Sequence, residues 1–258
     1  MLAEIKGKVS RTGSNLSERL EDNLTGNVFG TLRYIPFIDG LGKVLANTVQ
    51  ELPDTVNLPD INSCIDHIKA QYWADVIEFW PYDKEGELDA LLTFEDTMIG
   101  IEVKYLSGLS SVDETGSIPT ELSKHQLVRE SRIISRKGTQ KNKILLFIAD
   151  RQMCNDVMKR IEKSSIAAGV TLGFVSWQDF LHELKQLNGL DQFQQILIQD
   201  LIELLTRKGF ENFIDMKVSN ASFVNSDEYF NFVISNQVEI SFTTNPLINE
   251  ELYYEFNR

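Results

Sequence analysis

Asp89, Glu102 and Lys104 are the residues whose types and spacing could do chemistry in this chain. They lie in two apolar runs, Glu85 to Phe94 and Met98 to Tyr105, on either side of a short polar connection. That pattern predicts a β-hairpin. Strand side chains alternate between faces. Ile99, Ile101, Val103 and Tyr105 then share one face, and Gly100, Glu102 and Lys104 the other. In the first run Leu88, Ala90, Leu92 and Phe94 lie opposite Glu87, Asp89 and Leu91. A loop of Phe94 to Thr97 pairs Thr93 with Met98 and places Asp89 across from Glu102. Like charges directly opposite destabilise a strand pair. Two carboxylates there, with Lys104 two residues on, point to a cation between them. The alternative is a solvated hairpin face with chance acids. Glu85 and Glu95 read as ordinary surface acids.

Other elements must position these groups. Leu16, Leu20, Leu24, Val28, Leu32 and Ile35 recur at three or four residues, which predicts an amphipathic helix ended by Pro36. Glu21 borders its buried stripe. A second helix is expected over Ile38 to Thr48, a loop over Glu51 to Asp60 and a short helix over Ile61 to Lys69. Asp75 to Trp80 reads as a strand stopped by Pro81, and the Ser- and Gly-rich stretch Ser107 to Pro119 as a mobile loop. Pro119 to Lys137 reads as a helix with Arg129, Arg132 and Arg136 along one face and Gln126 beside them. A row of arginines is usually a solvated surface. Without compensating acids, this one is expected to bind anions. Ile144 to Ala149 is an apolar strand of the kind buried on both faces. A helix over Arg151 to Ala168, a strand over Val170 to Val175, a helix over Trp177 to Leu187 and an Asp191-capped helix to Arg207 follow. Aromatic runs between Asp215 and Phe242 suggest a small β-containing tail.

The chain has 258 residues and a net charge of −13, which argues against a protein that coats nucleic acid. The charge is uneven: Lys124 to Lys143 is strongly basic, with Glu130 its one acid, and Asp227 to Arg258 is acidic. Cys64 and Cys154 have no CxxC spacing, so neither a disulfide nor a cysteine zinc site is expected, and a reducing cytoplasm fits. No secretory signal or membrane span is expected. His67, His125 and His182 lack metal-ligand spacing.

The element order helix, strand, strand, strand, helix, strand implies a mixed sheet in an α/β arrangement. With that order, Asp89 followed thirteen residues later by Glu102-Val103-Lys104 resembles the restriction-endonuclease-like nucleases, the PD-(D/E)xK superfamily. The run Glu21-Asp22-Asn23-Leu24-Thr25, followed by Val28 to Pro36, is similar to that of uncharacterised bacterial members, and Gln126 to a glutamine of some branches. Leu88 stands where the name-giving proline would be. Glu18 competes with Glu21 as the helix acid, and Glu87 with Asp89.

The resemblance implies a restriction-endonuclease-like core, a mixed sheet flanked by helices, over residues 1–208. Residues 209–258 would form a small C-terminal extension. It implies a metal-dependent endonuclease acting on DNA, or on RNA, in bacterial defence or mobile-element conflict. Asp89, Glu102, the Val103 carbonyl and Glu21 would hold Mg²⁺ or Mn²⁺. Lys104 would orient or deprotonate the attacking water, and Gln126 would sit in the site. Lys124, Arg129, Arg132 and Arg136 would grip backbone phosphates. A homodimer or a defence-system partner protein would complete the assembly. The alternatives are a catalytically silent nucleic-acid-binding or assembly subunit, and a junction-resolving nuclease.

Overall fold

The computed structural model describes residues 16–52, 60–69, 72–111, 120, 122–140 and 142–211, with the side chains of the first helix from Leu20 onward. Leu24, Val28 and Leu32, one turn apart, are fully buried, which seats helix α1 (Leu16–Leu32) on the core by its expected stripe. Helix α2 (Leu41–Thr48) follows. Strand β1 (Gln50–Glu51) takes in the first residue of the expected loop, because its backbone pairs with the strand Val170–Ser176. Helix α3 (Ile61–Asp66) is capped by Asp60. Strand β2 (Ile77–Phe79) leads into a small ribbon of β3 (Tyr82–Asp83) and β4 (Gly86–Glu87). Strands β5 (Ala90–Thr93) and β6 (Thr97–Val103) form the central hairpin. Helix α4 (Gln126–Lys137), β7 (Asn142–Ala149), α5 (Arg151–Arg160), β8 (Val170–Ser176), α6 (Trp177–Gln186) and α7 (Gln192–Arg207) complete the order.

The sheet has six strands in the order β1-β8-β7-β6-β5-β2. β2, β5 and β6 run antiparallel, β6, β7 and β8 parallel, and β1 antiparallel to β8. Helices cover both faces. One core layer joins α1, α2, α3, α6 and α7 to Ile99, Ile101 and Val103. The other joins α4 and α5 to Met98, Leu145 and Phe147. The molecule is therefore mixed α/β, with a mixed sheet flanked by helices. Every residue of β6 and the last six of β7 are buried, as strands covered on both faces require.

Close packing sets α4 over β6. A Cβ added at Gly100 would lie 2.3 Å from Ile134 Cδ1, so only glycine lets the helix approach this closely. That approach brings the first turn of α4 to the end of β6.

Several expectations need correction. The helix expected from Pro119 starts at Gln126, since the preceding segment uses its backbone in turns against Ser111 and Arg132. The helix expected to reach Ala168 stops at Arg160, and a 3₁₀ turn, Lys163–Ser165, follows. The run Glu85 to Phe94 is not one strand. Leu88 donates its N–H to Pro81 and Asp89 to Ile101, which breaks the alternation. Leu88 therefore packs with Leu91 in the α4 layer, and not on the face of Ala90 and Leu92. Beyond this break the expected register holds, with Thr93 opposite Met98 and Ala90 opposite Ile101.

Phe210 packs against Tyr105 and Trp177, with ring centroids 5.5 Å apart in both pairs. The rest of the expected extension, from residue 212, lies outside the described residues. No described helix is long and apolar enough to cross a membrane. No disulfide forms among the described residues, and Cys64 and Cys154 are buried thiols.

Candidate metal centre

The chemistry suggested by the sequence gathers where β6 ends. Asp89 lies one residue beyond the β5–β6 ladder, and its Oδ2 accepts the Val103 N–H at 2.7 Å. Glu102, the penultimate residue of β6, is buried. Glu21 comes down from α1: Oε1 accepts from Lys104 Nζ at 3.0 Å, and Oε2 accepts from the Tyr105 N–H at 3.1 Å and from the Ser107 hydroxyl. One carboxylate oxygen from each of Glu21, Asp89 and Glu102 lies within 4.8 Å of the other two. Three separate segments thus bring three carboxylate oxygens to one spot.

Lys104 stands between them. Its ammonium is 3.0 Å from Glu21 Oε1 and 2.7 Å from Glu102 Oε1. Its backbone is fixed on both sides: the N–H donates to Ile148 O at 2.7 Å, and the carbonyl accepts from Trp177 Nε1 at 2.9 Å. Burial works to deprotonate this lysine, but Glu102, Glu21 and Asp89 outweigh it and hold the ammonium well above the ordinary lysine range.

The other face of the sheet contributes Gln126 and Glu130, one turn apart on α4. Gln126 Nε2 donates to Glu102 Oε1 at 2.5 Å, and its Oε1 accepts the Ser110 N–H at 2.8 Å. Glu130 is buried, and its Oε2 has no hydrogen-bond partner. Burial first, and then Glu130, raise the Glu102 carboxyl well above its ordinary range. Burial likewise raises Asp89, with Glu102 the next cause. Glu130 is pushed up to about 8, mainly by burial. Four carboxyl groups thus confront one ammonium, so full ionisation would leave an excess of three negative charges.

That imbalance would favour a cation among the carboxyl groups. A divalent ion would offset two of the three charges, and carboxylate oxygens are the ligands hard cations take. Oxygens bound to Mg²⁺ stand roughly 3–4 Å apart. A small inward shift therefore suits the three converging groups.

Compared with known proteins, the chain matches no protein-family model, no curated protein and no solved structure.

The structure brings Glu21, Asp89, Glu102, Lys104 and Gln126 together. Val103 meets Asp89 through its N–H. The side chain of Glu18 lies outside the described residues. Glu87 sits in the β3–β4 ribbon. The arginines lie elsewhere, each engaged within the protein. Arg129 bonds the carbonyls of Glu85 and Lys124, Arg132 bonds the Glu85 carboxylate and the carbonyls of Thr120 and Ser123, and Arg136 bonds Glu85 and Asp83. Lys124 is exposed, its carbonyl serving Arg129 and Ser111. Glu85 is thus no ordinary surface acid: Arg132 and Arg136 draw its carboxyl below the usual range despite the opposing effect of burial.

Sequence reasoning missed four contributors. Glu130 was visible as the one acid in a basic stretch, at i+4 from Gln126. Ser107 and Ser110 belong to the stretch read as mobile, yet residues 107–111 are pinned to Glu21, Gln126 and Lys124. Trp177 carried no signal, because its bond to the Lys104 carbonyl spans 73 residues. Trp177→Phe should keep the ring packing and strand that carbonyl. Urea unfolding should show a loss of about 1–2 kcal/mol with an unchanged m-value.

Proposed function

We propose that this chain is a metal-dependent nuclease that hydrolyses phosphodiester bonds of DNA on a restriction-endonuclease-like core. The observation that carries this reading is the convergence of Glu21, Asp89 and Glu102 from α1, the β5 edge and β6, with Lys104 within 3.0 Å of two of them. Three antiparallel strands followed by α4 and the parallel strand β7 support the core.

Glu21, Asp89 and Glu102 would hold Mg²⁺ or Mn²⁺, the acceptors that such ions prefer. A divalent ion bound there supplies positive charge to a phosphate oxygen and lowers the pKa of a water. Without metal, Glu102, Glu21 and Asp89 hold Lys104 protonated. Beside a bound ion it would steady negative charge growing on the phosphate and orient or deprotonate the water. Gln126 holds Glu102 in place through the amide N–H. Trp177 and Ile148 hold the Lys104 backbone.

Plasmid and linear DNA should be cut with Mg²⁺ or Mn²⁺ and left intact in EDTA. Asp89→Ala should reduce cleavage by about 10³-fold. Calorimetry should show Mn²⁺ binding to the wild-type protein and none to Asp89→Ala. Cleavage that survives Asp89→Ala would remove the site from consideration, and a matched RNA substrate reports the choice of nucleic acid.

A catalytically silent reading has one observation in its favour. Lys104 already bonds two of the three carboxylates, so the network could serve as a structural tie between α1 and β6. Absence of both Mn²⁺ binding and cleavage would select it.

A further inference from the structure

We propose that the α4 arginine stripe is a binding site for the phosphodiester backbone of a nucleic acid, held closed by Glu85, whose carboxylate sits on Arg132 and Arg136 where a phosphate would sit. The Glu85 Oε2 pairs with Arg132 Nε, and its Oε1 with Arg136 Nη1. One carboxylate thus bridges two guanidinium groups, the arrangement in which arginines also take a phosphate. Asp83 adds a second acid to Arg136 at 3.0 Å. Both acids come from the β3–β4 ribbon.

That ribbon is the outer end of the β2–β5 hairpin, joined to it by the Trp80 N–H on the Asp89 carbonyl and the Leu88 N–H on the Pro81 carbonyl. Beyond those bonds its two strands pair only with each other and add no strand to the main sheet. Trp80, just before it, holds φ 51°, a left-handed conformation that costs a non-glycine residue energy and turns the chain off β2. At its tip Gly86 has φ 148°, and a Cβ there would lie 2.8 Å from Arg129 Nη1. The ribbon therefore rests directly on the arginines. Open clefts of about 450 and 360 Å³ flank Arg136, the first lined by Lys137, Thr139 and Gln140 with Glu78 and Met98, the second by Arg132, Ser135 and Ser164 with Ile166 and Ala167. A backbone laid along α4 would have polar room on both sides of Arg136.

The stripe also leads to the metal centre. Gln126, bonded to Glu102, starts the helix, and Arg136 lies roughly 15 Å along it. Leu88 and Asp89 follow the ribbon directly, and Asp89 is anchored to β6 by its own bonds to Ile101 and Val103. The proposal rests on the nuclease reading only for its choice of ligand.

Binding of a fluorescein-labelled 20-bp DNA duplex, followed by anisotropy in EDTA, tests it with cleavage excluded. Glu85→Gln should bind about tenfold more tightly than wild type. Its log K against log salt should steepen by about 2, since each added phosphate contact contributes about 0.9. Arg136→Ala on the Glu85→Gln background should abolish most of the gain. Glu95→Gln, the same charge change at an exposed residue of the β5–β6 turn, should do nothing. Asp83→Asn removes the second acid from Arg136 while Glu85 stays on it, and should give about a threefold gain, which keeps the test alive if Glu85→Gln folds poorly. Unchanged affinity in folded Glu85→Gln, an equal gain from Glu95→Gln, or a gain that survives Arg136→Ala would each overturn the proposal. A gain without any cleavage in Mg²⁺ or Mn²⁺ leaves the masked site standing and sinks the nuclease reading. Cleavage without a gain sinks the mask alone.

Discussion

Lys104→Met should cost the metal-free protein about 3 kcal/mol at pH 7, a fall in Tm of roughly 6–12 °C, and should lower cleavage by about 10³-fold. The ammonium pairs with Glu21 and Glu102 at 3.0 and 2.7 Å inside the protein. Methionine fills a similar volume without charge, so the substitution leaves two carboxylates buried without their cation. Breaking a buried pair from one side is expensive for that reason. Mn²⁺ at a hundred times its dissociation constant should return about 2.7 kcal/mol of stability, but no cleavage. Differential scanning calorimetry with and without Mn²⁺ separates the two effects. A Tm within 2 °C of wild type would show that Lys104 does not hold these acids. Restored stability with undiminished cleavage would deny it any part in the reaction.

The second large effect is on pH. In EDTA the wild-type protein should lose stability as pH rises from about 4.5 to about 8. Glu130 moves from an ordinary 4.5 to about 8 on folding, so the folded state binds its proton more tightly. The resulting stabilisation is complete below 4.5, where both states are protonated, and is lost as pH passes through the folded value. From Glu130 alone, each pH unit inside the window removes at most about 1.4 kcal/mol. Asp89 and Glu102, also raised, act in the same direction. Glu85, which is lowered, acts only as pH falls below its ordinary range. Urea unfolding at pH 5, 6, 7 and 8 measures the slope, and Glu130→Gln should flatten much of it. Mn²⁺ should reduce it as well, because a bound ion favours deprotonated carboxylates. A metal-free stability that is flat or rises over this range would mean that Asp89, Glu102 and Glu130 do not share one buried environment.

Much of this molecule was legible in its residues. The β5–β6 register followed from hairpin arithmetic, because strand periodicity and turn length leave few pairings. The α1 stripe followed from helical periodicity, and the buried character of β7 from an unbroken apolar run. Periodicity placed Glu21 only at the border of a buried stripe, and its place in the site came from the family resemblance; it is buried in the folded chain. Glu102 and Lys104 were marked by their position two residues apart on a strand.

Other features are products of distance in the sequence. The arginine stripe on α4 looked uncompensated because its acids, Asp83 and Glu85, lie about fifty residues earlier and meet it only through the β3–β4 ribbon. That ribbon exists because the chain breaks at Leu88 and Asp89, where backbone bonds to Pro81 and Ile101 override the alternation. The start of α4 was misplaced because Ser123, Lys124 and Thr120 spend their carbonyls on Arg132, Arg129 and Ser111.

By itself, the sequence determined which residues could carry the chemistry, since periodicity and spacing are local properties of the chain. Only the tertiary structure decided what each charge faces. A carboxylate in water and a carboxylate among three others and one ammonium are the same letter. The difference is made by the elements that close over it: α1 from one face of the sheet, α4 from the other, with Trp177 of α6 beneath Lys104.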